Sequence, residues 1–123
     1  MKSVFEQQRE FMQACGQTTW TPNDKQILMY ESLIEEEHAE WLDAYGGKVD
    51  DLDAVIDQIV VLIGYGLSHG WDMEGAWAEV MRSNMAKIDP DTGMVRRRAD
   101  GKILKPGNWV APDLKPFMEP SKR

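Results

Sequence analysis

Apolar residues recur every three or four positions through most of the first 86 residues, a spacing typical of amphipathic helices. The pattern predicts four helices. The first begins at Ser3, and Glu6 three residues later completes a capping-box pattern. It runs to about Ala14, and Gly16 is a typical residue to end it.

Three further helices are predicted over residues 24–45, 51–69 and 72–86. The middle of the third predicted helix, IDQIVVLIGYGL, is apolar nearly all round. A helix of that kind is expected to be the central and most buried one. Gly64 and Gly66 weaken it locally, but they also allow a neighbouring helix to approach closely.

The pattern changes after Lys87. The stretch DPDTG is rich in turn-forming residues, and MVRRRADGKILK places apolar and basic residues around an Asp-Gly pair, which predicts a hairpin. PGNWVAPDLKP contains three prolines and predicts an extended arm. The expected fold is therefore all-α: a four-helix bundle over residues 1–88, followed by a partly extended basic tail over residues 89–123.

Composition and charge restrict the classes of function. The chain has 123 residues and a net charge of −7; residues 1–94 carry −12 and residues 95–123 carry +5. An acidic body argues against duplex nucleic acid as the main partner. The apolar run 59–67 is too short to span a membrane, and no early stretch resembles a signal peptide. Cys15 is the one cysteine, which suits a reducing cytoplasm.

Acidic residues interrupt the apolar stripes of two successive predicted helices. In the second helix, Glu37 and Glu40 lie in or beside the apolar stripe, because residues three and four apart share a helix face. In the third helix, Asp57 lies between apolar neighbours and Asp53 lies one turn earlier on the same side. Buried carboxylates need cations or protons, so the two pairs predict a shared interior site.

A divalent metal is the expected counter-charge for these carboxylates. The second and third helices offer only Lys25 and Lys48 as cations, both near helix ends. Ligands that are all oxygen favour Mg²⁺, with Mn²⁺ as a substitute, over zinc. One alternative is a charged helix face in solvent. Another is a di-iron site, for which Glu35 and His38 supply one Glu-x-x-His motif.

The stretches EEEHAEW and DAVIDQIVVLIGYGL resemble the MazG-type all-α nucleoside triphosphate pyrophosphohydrolases. That family has Glu-Glu-x-x-Glu on one helix and Glu-x-x-Asp on the next. The first motif is matched in full, by Glu36, Glu37 and Glu40. Asp57 matches the last residue of the second motif, whereas Ala54 stands where the family has glutamate. Asp53 is the expected replacement for it.

The stretch from residue 79 to residue 114 resembles a branch that includes small phage-encoded and phosphoribosyl-ATP pyrophosphohydrolase-like proteins. Its Ser-Asn-Met-x-Lys block implies that Asn84 and Lys87 contact the nucleotide. In the tail, Lys102 is a candidate phosphate contact. Trp109 and Trp20 lie in loop-like segments where an indole ring can stack on a base. The resemblance covers roughly residues 24–115.

The resemblance implies Mg²⁺-dependent cleavage of a (deoxy)nucleoside triphosphate to the monophosphate and pyrophosphate, in the cytoplasm of a bacterial or phage-infected cell. The implied metal ligands are Glu37, Glu40, Asp53 and Asp57. Glu36 or Glu37 would orient or deprotonate the attacking water. The resemblance to phage proteins favours a purine such as dGTP. Phosphoribosyl-ATP hydrolysis and a non-catalytic nucleotide- or protein-binding module are the alternatives.

The resemblance also implies a homodimer or homotetramer. Four helices with one fully apolar member make a thin core for a chain of this length. The apolar faces of the first and fourth predicted helices therefore need partners, and subunits of this family complete one another's sites. The tail is expected to complete either the site or the oligomer interface.

Overall fold

The computed structural model describes residues 1–44 and 46–119. In these residues it has four α-helices: α1 Val4–Ala14, α2 Asp24–Asp43, α3 Val49–Ser68 and α4 Met73–Met85. Three short strands follow, β1 Ile88–Asp89, β2 Met94–Arg97 and β3 Ile103–Leu104, and then a 3₁₀ turn, Lys115–Phe117. The four helices are confirmed. Tyr45, the last residue of the predicted second helix, lies outside the described residues.

The prediction of an all-α fold is wrong in one respect. Helix accounts for 57% of the structure, and the C-terminal region adds a three-stranded antiparallel sheet in the order β1-β2-β3. The chain is therefore mostly helical and not strictly all-α. The predicted hairpin accounts for β2 and β3. The sequence analysis missed β1, because a two-residue strand gives no periodic pattern.

The described residues form two compact units. The first contains Met1–Met73 and the described residues from Phe117 onward, and the second is Glu74–Pro116. The first unit thus holds α1, α2 and α3. The second holds nearly all of α4, together with the sheet and the extended arm. Each unit has its own set of hydrogen bonds and its own balance of charge.

Side chains cap the first two helices, and the capping box at Ser3 is the one that the sequence predicts. Ser3 Oγ accepts a hydrogen bond from the Glu6 backbone N–H at 3.1 Å, and Glu6 Oε1 accepts one from the Ser3 N–H at 3.5 Å. The helix ends before Gly16, whose φ of +77° suits glycine. At α2, Asn23 Oδ1 accepts from the Gln26 N–H at 3.1 Å. These bonds satisfy N–H groups that a helix start leaves unpaired.

Helices α2 and α3 form an antiparallel hairpin joined by residues 44–48. Three contacts run in opposite directions along the two helices: Gln26 to Ser68, Tyr30 to Gly64, and His38 to Gln58. The closest approach is at Gly64, where a Cβ atom would lie 2.2 Å from Tyr30 Cε1. The expectation that this glycine permits close helix packing is confirmed.

The core of the first unit lies between α1, α2 and α3. Its buried apolar residues are Phe5, Met12, Tyr30, Val61, Ile63 and Leu67. A buried polar link accompanies them, because the Gln26 amide donates to Ser68 Oγ at 2.8 Å and to the Thr18 carbonyl at 2.7 Å. The hydroxyl of Tyr30 donates to Gln17 Oε1 at 2.7 Å. Buried polar groups need such partners to avoid a desolvation cost.

Helix α3 is buried on one face and exposed on the other. As predicted, α3 is the central helix of the first unit, because it packs against both α1 and α2. Its apolar surface is nevertheless only partly covered, since a row of apolar side chains faces outward: Leu52, Val55, Ile56, Ile59 and Leu62. Helices α1 and α2 cover only the opposite face. Apolar composition indicates that a surface tends to be buried, but it does not identify the element that covers it.

The second unit is held together by hydrogen-bonded turns and by a clamp, in which Glu79 and Arg82 of α4 bind the backbone of the arm. In the sheet, Ile88 pairs with Val95 and Arg96 pairs with Leu104. The Asp100-Gly101 turn forms as predicted, with a φ of +91° at Gly101. The arm after β3 contains no further strand or α-helix among the described residues, as the proline content predicts.

Candidate metal centre

Four carboxylates lie close together where α2 meets α3 in the first unit. Glu37 and Glu40 come from α2, and Asp53 and Asp57 come from α3. The antiparallel hairpin explains why they meet, since its pairing places Asp57 beside Glu37 and Asp53 beside Glu40. The two carboxylate pairs that the sequence places on separate helices are thus neighbours in the structure.

The electrostatics of Glu37 and Asp57 show that the four groups interact. Burial is the largest cause that raises the pKa of Glu37, followed by the charges of Glu40, Asp57 and Asp53. Burial likewise raises the pKa of Asp57, followed by the charges of Asp53 and Glu40. Both carboxylates therefore hold protons more tightly than isolated ones, as expected when like charges share a partly desolvated space.

One oxygen of the cluster is buried without a partner. Glu37 Oε2 is inaccessible to solvent and has no hydrogen-bond partner among the described residues. Glu40 and Asp53 are exposed, and Asp57 is half-buried. In residues 1–44 and 46–119, no Lys or Arg forms an ion pair with any of the four carboxylates. A buried carboxylate oxygen that lacks a partner is an energetic cost that a cation would relieve.

The cluster has suitable donors for Mg²⁺, although its side chains do not converge on one point. Carboxylate oxygens are the ligands that Mg²⁺ and Mn²⁺ prefer, and the orphaned oxygen of Glu37 is one of them. As the side chains stand, no group of three or more His, Cys, Asp or Glu residues in the described chain is arranged to hold a metal ion. Binding therefore requires rotation of side chains, which the exposure of Glu40 and Asp53 permits.

Two positions of the family motifs, Glu36 in the first motif and Ala54 in the second, lie outside the carboxylate cluster. Glu36 is exposed on α2, and it is not among the charges that raise the pKa of Glu37 or Asp57. At the second motif, Ala54 is only 4% exposed, so a glutamate at this position would be directed into the core. Asp53 lies exposed beside it, and its charge contributes to raising the pKa of Asp57.

Sequence analysis named His38 only for a di-iron site and missed Gln58, and these two residues border the cluster. His38 Nδ1 lies 3.3 Å from Gln58 Oε1, and this contact ties α2 to α3 directly beside the carboxylates. The ring of His38 lies 5.6 Å from that of Trp41. His38 directly follows Glu37 in the sequence, and Gln58 directly follows Asp57. This adjacency was the sequence signal that could have placed both residues beside the carboxylates.

Four of the predicted substrate contacts, Asn84, Lys87, Lys102 and Trp109, belong to the second unit, and three of them meet there. Lys87 Nζ donates to Asn84 Oδ1 at 3.1 Å and lies 5.6 Å from the centre of the Trp109 ring. The indole N–H of Trp109 donates to the Ser83 carbonyl at 2.7 Å, so this tryptophan also anchors the arm. Lys102 lies apart from them, in the hairpin turn, where its N–H donates to Asp100 Oδ1 at 3.1 Å.

The other loop tryptophan, Trp20, belongs to the first unit. The Arg9 guanidinium lies 3.8 Å from the centre of its ring, a cation–π contact. One face of this indole is therefore occupied by α1. Trp20 packs against a side chain of its own chain, as most tryptophans do.

Comparison with known proteins adds no relative. No protein-family model matches the chain, and no curated protein shows significant similarity to it. No single helix in the described residues is both long and apolar enough to cross a membrane.

Proposed function

We propose that the protein is a Mg²⁺-dependent nucleoside triphosphate pyrophosphohydrolase of the MazG type, acting in the cytoplasm. The observation that carries the proposal is the four-carboxylate cluster: the pKa values of two members are raised, one buried oxygen has no partner, and no Lys or Arg of the described residues pairs with it. Structural ion clusters on helix surfaces are normally balanced by Lys or Arg. An unbalanced one that is partly buried is typical of a functional site.

Glu37, Glu40, Asp53 and Asp57 would hold the metal. When bound, Mg²⁺ supplies positive charge that offsets the charge developing on phosphate oxygens. Glu37 would keep its orphaned oxygen ionised once a cation is present, since the repulsion that raises its pKa would be relieved. Glu36 is exposed and its carboxylate is not engaged by the cluster, so it remains the candidate for orienting or deprotonating a water.

The proposed substrate contacts are residues of the second unit. Lys87 would contact a phosphate, and the Asn84 side chain offers a donor and an acceptor to a sugar or base. Lys102 and Trp109 complete the set of substrate candidates. A purine deoxynucleotide such as dGTP is our preferred substrate, and hydrolysis to the monophosphate and pyrophosphate would regulate a nucleotide pool.

A non-catalytic nucleotide-binding module is the second candidate. The observation that favours it is that Ala54, a buried alanine, stands at the position where the MazG-type family has a metal-binding glutamate. Such a module would bind nucleotide without releasing pyrophosphate.

We further propose that the chain acts as a homodimer or homotetramer. The exposed apolar row on α3 continues for several turns, and single chains rarely expose contiguous apolar surface of that extent. A second copy would bury it. Sedimentation equilibrium tests this, because Ile59→Glu should dissociate the oligomer; a monomeric intact chain would contradict the proposal.

The function is tested by turnover of dGTP, dATP, dCTP, dTTP, dUTP and phosphoribosyl-ATP, with Mg²⁺ and with EDTA. Products should be resolved into pyrophosphate and monophosphate. Mg²⁺-dependent release of both from one nucleotide is the expected result. Nucleotide binding without turnover would favour the non-catalytic binding module. If none of these nucleotides were hydrolysed or bound, both candidates would be contradicted.

A further inference from the structure

The second unit contains a cleft of about 440 Å³, a size within the range of about 300–1,000 Å³ typical of small-molecule sites. Its walls come from the end of α4, the sheet and the start of the arm. Ile88, Pro90, Leu104 and Pro106 supply apolar surface, and the charged or polar lining residues are Lys87, Asp89, Arg96, Lys105 and Asn108. The cleft thus combines apolar walls with convergent polar groups.

The charge in this cleft is positive and only partly compensated. Three cations, Lys87, Arg96 and Lys105, line it together with one carboxylate, Asp89. Asp89 is already engaged, because its Oδ2 accepts from Arg96 Nε at 2.8 Å and its Oδ1 accepts from the Asp91 N–H at 2.9 Å. Within the described residues, neither lysine has a carboxylate partner.

The tryptophan of the arm lies close to both lysines. Lys105 Nζ lies 4.4 Å and Lys87 Nζ lies 5.6 Å from the centre of the Trp109 ring, both within cation–π range. The hydrogen bond from the indole to Ser83 holds that ring in place. Both lysines therefore lie close to the same ring, and an anion in the cleft would offset their charge.

Arg96 adds donors of a different geometry. Its side chain is 73% exposed, and its contact with Asp89 uses Nε, which leaves the terminal guanidinium nitrogens directed to solvent. A guanidinium matches the geometry of phosphate oxygens, and it keeps its charge at any physiological pH. Three cations spaced around one cleft suit a multiply charged anion better than a single carboxylate.

We propose that this cleft is a binding site for a small phosphate-bearing anion, held by Lys87, Arg96 and Lys105. Arg96 and Lys105 are sites that the resemblance does not name. The proposal rests on the proposed function insofar as the phosphates belong to a nucleotide substrate. Its test needs neither metal nor turnover, so the two proposals can fail separately.

The test measures binding of inorganic tripolyphosphate and of dGTP to the intact chain by calorimetry, in EDTA at low and moderate salt. Lys105→Ala should weaken the Kd for tripolyphosphate about five- to tenfold, the effect of losing one charge-assisted contact. Lys105→Arg should restore most of the affinity. Lys115→Ala is the matched control, because this exposed lysine of the same unit lies outside the cleft, and it should change Kd less than about twofold.

The two probes distinguish the sources of phosphate. Similar affinity for tripolyphosphate and dGTP would mean that the phosphates are bound alone, and tighter binding of dGTP would mean that the apolar walls also hold the nucleoside. Either result supports the site if Lys105→Ala weakens binding. Absence of binding of both probes, or equal losses in Lys105→Ala and Lys115→Ala, would overturn it.

Discussion

The two units treat their carboxylates in opposite ways. In the first unit, Glu37 and Asp57 face other carboxylates, and burial with like charge raises the pKa of both. In the second unit, Glu79, Asp89 and Asp100 each face an arginine, and hydrogen bonds lower the pKa of all three. Acidic residues in the second unit stabilise local structure, whereas the cluster in the first unit costs stability unless a cation or a proton joins it.

Glu79 illustrates the structural use of a carboxylate. It accepts from Arg82 Nε at 2.8 Å and from the Asp113 N–H at 2.8 Å. Arg82 in turn donates to the Val110 carbonyl at 3.2 Å. The pair thereby ties the arm to α4. The comparison teaches that the fold pairs the carboxylates of one unit and leaves those of the cluster without a cation among the described residues, and that acidic composition alone does not distinguish the two cases.

The largest expected effect comes from removing a charge from the cluster. Asp57→Asn should lower Mg²⁺-dependent turnover at least about 100-fold, because metal ions contribute several kcal/mol of transition-state stabilisation. Steady-state pyrophosphate release measures it. Asp50→Asn is the matched control, since Asp50 is exposed on the same helix. Equal turnover by Asp57→Asn and Asp50→Asn would contradict a role of the cluster in catalysis.

A smaller effect is expected on stability from Glu37→Gln. The raised pKa of Glu37 means that its proton stabilises the fold: this stability is fully present below the unfolded pKa, near 4.3, and is lost as pH rises through the folded pKa. In EDTA at pH 7, Glu37→Gln should therefore raise Tm by about 2–4 °C. The gain should shrink to zero toward pH 4.

Thermal unfolding from pH 4 to 7 checks this prediction, with the exposed Glu35→Gln as control. Mg²⁺ provides a second comparison, because a ligand that binds only the folded state raises Tm. It should raise the Tm of the intact chain more than that of Glu37→Gln. A gain for Glu37→Gln that is constant across this pH range would contradict the assigned charge repulsion.

The smallest expected effect lies in the second unit. Glu79→Gln should speed hydrogen exchange at the Asp113 amide and leave the amides of α1–α3 unchanged, because the clamp lies wholly within Glu74–Pro116. Hydrogen bonds from Arg82 and Asp113 lower the pKa of Glu79 to about 2. Its stabilisation is therefore present above the ordinary glutamate pKa and is lost as pH falls through about 2.

Arg98→Ala provides the control for this prediction. The pair that Arg98 forms with Asp100 is exposed on both sides, and exposed pairs contribute little. Exchange at Asp113 and the Tm should stay at their original values. If Arg98→Ala and Glu79→Gln changed hydrogen exchange at the Asp113 amide equally, Glu79 would have no specific role in holding the arm.

The sequence predicted features that depend on nearby residues, and it did not predict those that join distant ones. The helix cap at Ser3 and the Asp100-Gly101 turn each depend on residues within a few positions of one another, so the sequence predicted them. The paired spacing of Glu37 with Glu40 and of Asp53 with Asp57 predicted a shared site for the same reason. The clamp between Glu79 and the arm joins residues more than 30 positions apart, and no spacing rule indicated it.

The Arg96–Arg98 run shows where sequence analysis stopped. Three identical residues in a row have the same composition and charge, yet the structure uses them differently. Arg96 pairs with Asp89 and lines the cleft, Arg97 donates to the Gly101 carbonyl at 3.0 Å, and Arg98 pairs with Asp100. The pairing of β2 with β1 brings Arg96 close to Asp89, and the turn that follows β2 supplies the partners of Arg97 and Arg98.

By itself, the sequence determined the four helices, the hairpin, and the unequal distribution of charge between body and tail, because these depend on periodicity, capping and composition along the chain. Only the tertiary structure decided that α3 leaves one apolar face exposed, that Ala54 is buried while Asp53 is not, and that Lys87, Arg96 and Lys105 meet in one cleft. Those outcomes depend on which distant segments cover or face each residue, and pairing across the fold is a property of the packed chain.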